Sequence, residues 1–324
     1  MKLSRRRLLG AGLVLTAGRA WADTPWSGAL VMGTGRPGGD YSVYGPAWGR
    51  LAAAQAGVDI AYRASGGATA NILLIDEAVA QLGMTTLTVA NEARTGTGTW
   101  TAGAKFQSFR ALFPMFSSVL QIVSPRATGI TTISALAGQV IGIGPDGGSG
   151  AATVPSILAS IGVIPKRTVT GDYPAQIHDM LAGKLDACAF IGAPPLSAIT
   201  HAALNQKLSL IGLSSAESAH VGRVLPGMTP MTLKAGSFPG QNAAVSSVGM
   251  ANIAIATASL PASLATAVTL AALHNQAALA KLIAASTDIP SINAVGKAGV
   301  TFHPGAAAAL HQSGQHVPDE YIES

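Results

Sequence analysis

The chain alternates short apolar runs with glycine-rich turns and amphipathic stretches. Ala29 to Met32 is apolar and ends in Gly33-Thr34-Gly35-Arg36-Pro37-Gly38-Gly39. A helical stretch from Tyr41 to Ala56 follows. A second strand spans Val58 to Arg63, closed by Ser65-Gly66-Gly67-Ala68, and a helix from Thr69 to Ala80 leads to a strand at Gln81 to Met84. Strand, glycine turn and helix in repetition predict βαβ units and a parallel sheet. A long extended segment, Phe109 to Val123, interrupts the pattern before a turn at Ser124-Pro125. The pattern restarts with a helical turn at Ile133 to Leu136, a strand at Val140 to Gly144, the turn Pro145 to Gly150, and a helix to Ser160. A helix at Pro174 to Ala182 and a strand at Ala187 to Ile191 complete this unit, ending in Gly192-Ala193-Pro194-Pro195. Leu208 to Leu213 and Ala244 to Ala256 read as strands of the return path. Helices at Ala262 to Leu273 and Asn275 to Ala285 then finish the first unit. Two α/β units with the same order of parts imply two lobes, with a ligand crevice at the carboxyl ends of the strands.

The first residues set the compartment. Ser4-Arg5-Arg6-Arg7-Leu8-Leu9 fits a twin-arginine export pattern, Leu8 to Ala17 forms a short apolar run, and Ala20-Trp21-Ala22 fits cleavage after Ala22. The apolar run is half of what a membrane-crossing helix needs, roughly 20 residues, so residues 1–22 read as a leader and not an anchor. A Sec leader rich in arginine is the competing reading. Val248 to Leu273, the next most apolar stretch, is interrupted by Asn252 and Pro261.

Removing the leader changes the charge. The chain carries 20 Lys and Arg against 15 Asp and Glu. Lys2, Arg5, Arg6, Arg7 and Arg19 all fall within the leader, which holds no acid, so the remainder is formally neutral. That removes the case for nucleic acid as a partner, which needs a basic face on the folded part. The single cysteine, Cys188, excludes an intrachain disulfide and a cysteine-cluster metal site, and reads as a buried small hydrophobe. No cofactor is called for.

Three glycine turns precede helices: Gly38-Gly39, Ser65-Gly66-Gly67 and Gly147-Gly148-Ser149-Gly150. Helix N-termini present unpaired N–H groups and the positive end of the dipole, and so hold anions without a charged side chain. The three together predict an anion clamp. Gly33, Gly35 and Gly38 also form a literal G-x-G-x-x-G with Asp59 downstream, which leaves an exported nucleotide-dependent oxidoreductase open. No catalytic constellation stands out. The seven histidines are scattered, Ser149 lacks a G-x-S-x-G setting, and Asp76-Glu77 reads as a solvated pair.

The ordered series of motifs resembles the TAXI family (TRAP-associated extracytoplasmic immunogenic) of solute receptors. It runs from Gly33-Thr34-Gly35 with Gly38-Gly39-x-Tyr41 and Ser65-Gly66-Gly67 with Asn71 to Leu136-Ala137-Gly138-Gln139-Val140 and Gly144 to Gly150. Gly183-Lys184-Leu185-Asp186-Ala187, Gly192-Ala193-Pro194-Pro195, Ala235 to Gly240 and His303-Pro304-Gly305-Ala306 complete it. The resemblance implies a two-lobed type II periplasmic-binding-protein fold with two parallel or mixed sheets, helices on both faces and a cleft between the lobes. Lobe I would comprise 23–117 and 232–324, and lobe II 118–231. It further implies a non-enzymatic, monomeric periplasmic receptor that captures a small organic anion, a carboxylate or amino acid, for the membrane subunits of a TRAP-type transporter. A sensory module using the same cleft is the other binding alternative. The ligand loops implied are Gly38, Gly39 and Tyr41; Ser65, Gly66, Gly67 and Asn71; Thr85 and Thr86; Gly147, Gly148, Ser149, Gly150 and Thr153; and Gly192 and Pro194. Three departures from the family pattern stand at Ala68, Phe238 and Thr85-Thr86, the last in an expected turn. The His303 stretch is expected to be structural.

Overall fold

A computed structural model describes residues 28–283 and 289–322. The leader, with Arg5, Arg6 and the cleavage position after Ala22, lies outside the described residues.

The first unit runs β1 (Leu30–Gly33), α1 (Asp40–Ala56), β2 (Ile60–Arg63), α2 (Ala68–Asp76), β3 (Leu82–Thr86) and α3 (Leu87–Thr95). The long strand β4 (Phe109–Pro125) leads into β5 (Val140–Gly142), α4 (Ser149–Ser160), β6 (Arg167–Val169), α5 (Tyr173–Leu181), β7 (Ala187–Gly192) and α6 (Ser197–Asn205). Next come β8 (Leu208–Ile211), α7 (Ser215–Val224), β9 (Met228–Leu233) and the second long strand, β10 (Val245–Thr257). Helices α8 (Ala262–His274), α9 (Gln276–Ala280), α10 (Ile292–Lys297) and α11 (Pro304–Gln312) return to the first unit.

The expected elements appear in their order with adjusted boundaries; α3, β6, α6, α7, β9, α10 and α11 are additional to them, and the two expected sheets are joined into one of 10 strands. Thr85 and Thr86 lie in β3 and not in a turn, because pairing with Ile253 and Asn252 of β10 carries the strand two residues further. Ser124 and Pro125 likewise extend β4, where they pair with Ser209 and Leu208.

The sheet order is β2-β1-β3-β10-β4-β7-β5-β6, with β8 on β4 and β9 on β10. The βαβ crossovers make β1, β2 and β3 parallel, and likewise β5, β6 and β7. β4 and β10 are antiparallel to their neighbours and run through both halves, so hydrogen bonding continues from one set to the other. β4 is buried at nearly every position, as a strand covered on both faces must be.

Packing separates around these long strands. One core joins Leu30, Met32, Trp48, Leu82 and Met84 to Phe109, Phe113, Ile253, Val268 and Phe302. The other half packs around Ile122, Ile141, Ile157 and Ala189 on one side and Tyr173, Met180, Cys188 and Phe190 on the other. Cys188 is fully buried, as expected of a small hydrophobe. His303 caps α11: its Nδ1 accepts from Gly305 N–H at 3.1 Å, while Nε2 meets the Leu260 carbonyl at 2.9 Å. Its role is structural, as expected.

Candidate functional site

The carboxyl ends of β1 and β2 and the turn after β5 converge on one cleft. Its walls include Gly35, Arg36, Gly39, Asp40 and Tyr41 from the first turn and Gly66, Gly67 and Ala68 from the second. Pro145, Gly148 and Ser149 come from the third turn, Tyr173 and Ile191 from the same half, and Ser118 and Asn252 from the long strands. The two sides of the cleft are bridged to each other, and the space left between them is about 40 Å³, room for no more than a few waters.

The contacts that bridge it are specific. Thr69 and Ala70 N–H, in the first turn of α2, donate to the Gly147 carbonyl at 3.0 and 3.2 Å. Ala193 N–H donates to Asp40 Oδ2 at 2.7 Å. Arg36 pairs with Asp172 at 3.8 Å, both side chains half exposed, an ion pair worth little by itself. Gly66 is glycine because a Cβ there would run into the Asp146 carbonyl.

The expected anion clamp is therefore reduced. Asp40 is the first residue of α1, and its own carboxylate occupies that N-terminus. The first donors of α2 are taken by Gly147. Only α4, of the three, keeps its terminus clear: Gly148 caps it without a side-chain bond and lines the cleft with Ser149. The first N–H groups of any helix lack intrahelical acceptors. Two or three such donors to a charged group contribute about 1.5–3 kcal/mol each, so other polar walls must share in holding a solute at about −8 kcal/mol, the micromolar range.

Of the residues expected at a ligand, Gly39, Tyr41, Gly66, Gly67, Gly148 and Ser149 line the cleft. The others do not, for identifiable reasons. Ser65 Oγ donates to Asn71 Oδ1 or the Thr34 carbonyl, and Asn71 Nδ2 donates to the carbonyls of Thr34 and Met84. These two buried side chains hold the ends of β1 and β3 together behind the cleft. Thr153 Oγ1 donates back to Ser149 within α4. Gly150 packs beneath the Ile143 carbonyl, which a Cβ would strike, and Gly38 faces outward near Pro174. Gly147 acts through its carbonyl, while Gly192 and Pro194 sit behind Ala193, which makes the contact to Asp40. Thr85 and Thr86 are fully buried, and neither hydroxyl has a hydrogen-bond partner among the described residues. Leaving such a group unpaired costs about 1–3 kcal/mol. Thr86 pairs directly with Asn252 and so shares its sheet face.

Asn252, Ser118, Tyr173 and Asp40 are wall residues that were not anticipated. Asn252 sits at a register shift between Ala251 and Ile253 of β10, a bulge that re-aims its side chain. Its Nδ2 donates to the Phe116 carbonyl at 2.8 Å and to Ser118 Oγ at 2.9 Å, and its Oδ1 accepts from Tyr41 OH at 2.6 Å. This buried chain ties α1 to both long strands. Tyr173 packs edge-on against Phe190, with ring centroids 5.0 Å apart. Asp40 is half-buried, and burial pushes its carboxyl up from 3.8 to about 6, the Ala193 N–H partly opposing the rise. The signal for Asn252 was an isolated amide in an apolar strand. Asp40 was one acid in a glycine turn, and nothing local marked Ser118 or Tyr173.

The geometry removes the dinucleotide reading. Leu30 pairs with Ile60 and Gly33 with Arg63, so Asp59 lies at the opposite end of β2 from the glycine turn. The residue beside that turn is a cation. Among the described residues no group of three or more His, Cys, Asp or Glu is placed to hold a metal ion, and no helix is long and apolar enough to cross a membrane.

A family model described as NMT1-like family matches residues 32–314. A solved structure described as a periplasmic transporter is similar, with a TM-score of 0.52 at 14% identity, covering 89% of this chain and 97% of that one. A second, from work on glutathione import and a cystine ABC importer of Streptococcus mutans, has a TM-score of 0.51 at 15% identity, covering 82% and 99%. The shared fold is the α/β periplasmic-binding-protein fold, a mixed sheet with helices on both faces.

Proposed function

The chain belongs to the NMT1-like family, and from that premise we propose that it is an extracytoplasmic receptor that closes over a small carboxylate-bearing solute and delivers it to a membrane transporter. The observation that carries this reading is the convergence of three turns from the two halves on one cleft, bridged by bonds that cross it. Such bonds form and break as two lobes move about a hinge, the usual motion for binding proteins of this fold. β4 and β10 supply the hinge, with lobe I at 23–117 and 232–324 and lobe II at 118–231. The solute's carboxylate sits at the α4 N-terminus near Ser149, with Arg36 at the rim.

The finer reading, on the sequence resemblance, is a monomeric TAXI-type receptor serving a TRAP-type transporter. Export to the periplasm rests on the leader at residues 1–22. The function is capture and not turnover, a reading that the family match supports.

Native mass spectrometry of protein purified from its host, followed by calorimetry on a panel of carboxylates, tests the reading. A retained organic acid or amino acid and micromolar binding are expected. Absence of binding across the panel, with no compaction in solution scattering, contradicts it.

A further inference from the structure

Asp40 is out of place in a site built only for anions. It lines the same cleft as Ser149, from the other half. Its carboxylate accepts from Ala193 N–H through Oδ2 and from its own backbone N–H, two neutral donors. Among the described residues Asp40 has no ion-pair partner; the nearby cation, Arg36, is directed to Asp172. Half-buried carboxylates are ordinarily paired or bonded by several donors. Here the groups around it are phenols and an amide: Tyr41 beside it on α1, Tyr173 from α5 and Asn252 from β10. Tyr41 OH is committed to Asn252, and Tyr173 OH reaches the Ile191 carbonyl at 3.4 Å. The carboxylate thus keeps acceptor capacity toward the cavity that no side chain uses.

A plain dicarboxylate entering this cleft would bring its charge against Asp40, and like charges at close range repel. A ligand with a protonated amine beside its carboxylate meets complementary groups at both ends. We infer that the cleft takes a zwitterion of the α-amino acid class, its carboxylate at the α4 N-terminus and its ammonium on Asp40. This rests on the receptor reading above and narrows it: Asp40 determines specificity by pairing with the amine and disfavouring solutes that lack one.

The pH dependence follows. Asp40 must be ionised to hold an ammonium, and its carboxyl titrates at about 6. Tyr41 and Tyr173, which face it, are raised above their usual range and stay neutral between pH 5 and pH 8. Amino-acid affinity should therefore fall about tenfold between pH 7 and pH 5, while affinity for an amine-free analogue does not fall.

The test is calorimetry of the full chain with matched pairs that differ only in the amine: L-glutamate with 2-oxoglutarate, L-leucine with 4-methyl-2-oxopentanoate, and further pairs from the same series. The amino acid of at least one pair should bind about tenfold or more tighter than its 2-oxo acid. Asp40→Asn, whose amide oxygen can still accept from Ala193, should erase that preference while its circular dichroism and unfolding temperature show an intact fold. The wild-type pH profile gives a second readout that needs no variant. A 2-oxo acid that binds as tightly as its amino acid, or a preference that survives Asp40→Asn, overturns the assignment and leaves a carboxylate receptor standing. Failure of every member of both series, and of simple dicarboxylates, overturns the receptor reading itself.

Discussion

Gly66→Ala isolates closure from folding. Gly66 does not occupy the left-handed region, so alanine suits its backbone. The three atoms nearest a Cβ there belong to Asp146 and Gly147, across the cleft, and none to its own half. Ordinary contact with the Asp146 carbonyl then requires that turn to retreat by about 1.5 Å. At that separation Thr69 and Ala70 lose the Gly147 carbonyl, now at 3.0 and 3.2 Å. Two such bonds contribute about 1–3 kcal/mol together. A solute that needs the closed form should bind about 5–150-fold more weakly. Calorimetry with the solute retained by the native protein gives the affinity, and solution scattering at saturation gives the shape. The variant should remain more open than wild type while its unliganded unfolding temperature changes little. Binding within about twofold of wild type, with the same compaction, would refute closure through this contact.

Two further outcomes follow from buried polar groups. Asn252→Ala strands Tyr41 OH, Ser118 Oγ and the Phe116 carbonyl; thermal unfolding should show a loss of about 2–4 kcal/mol, and a neutral result would deny the network its role. Glu92 is buried, accepts from Trp100 Nε1 at 2.8 Å, and is pushed by burial from 4.5 up to about 7. The folded state therefore binds the proton more tightly, and stability falls as pH rises from about 4.5 to 7. Glu92→Gln should raise the unfolding temperature at pH 8 and leave it nearly unchanged at pH 4, flattening the slope between; an unchanged slope contradicts this.

Local patterns carried the architecture. Alternation of apolar runs and glycine turns placed β1 to β3 and α1 and α2 within a few residues, because each unit's hydrogen bonds and apolar face are satisfied by near neighbours. The site was less legible, because its residues are set by distant partners. Ser65 and Asn71 resemble ligand groups in sequence, yet their polar atoms are consumed by the carbonyls of Thr34 and Met84. Asn252 interrupts an apolar strand, and only the bulge in β10 and Tyr41, 211 positions away, explain why. Three glycine turns looked equivalent, but Asp40 and the Gly147 carbonyl fill two of the three helix ends. α3, β6, α6, α7, β9, α10 and α11, all short, have no counterpart in the sequence pattern, although Ser214 and Glu217 form a capping box at α7.

The most direct measurement is a crystal structure of the protein purified from its host with its solute retained. The account predicts a solute in the cleft between Gly39, Gly66 and Ser149, its carboxylate on the first N–H groups of α4 and atoms of both halves around it. A solute bound outside that cleft, or held by one half alone, would contradict it.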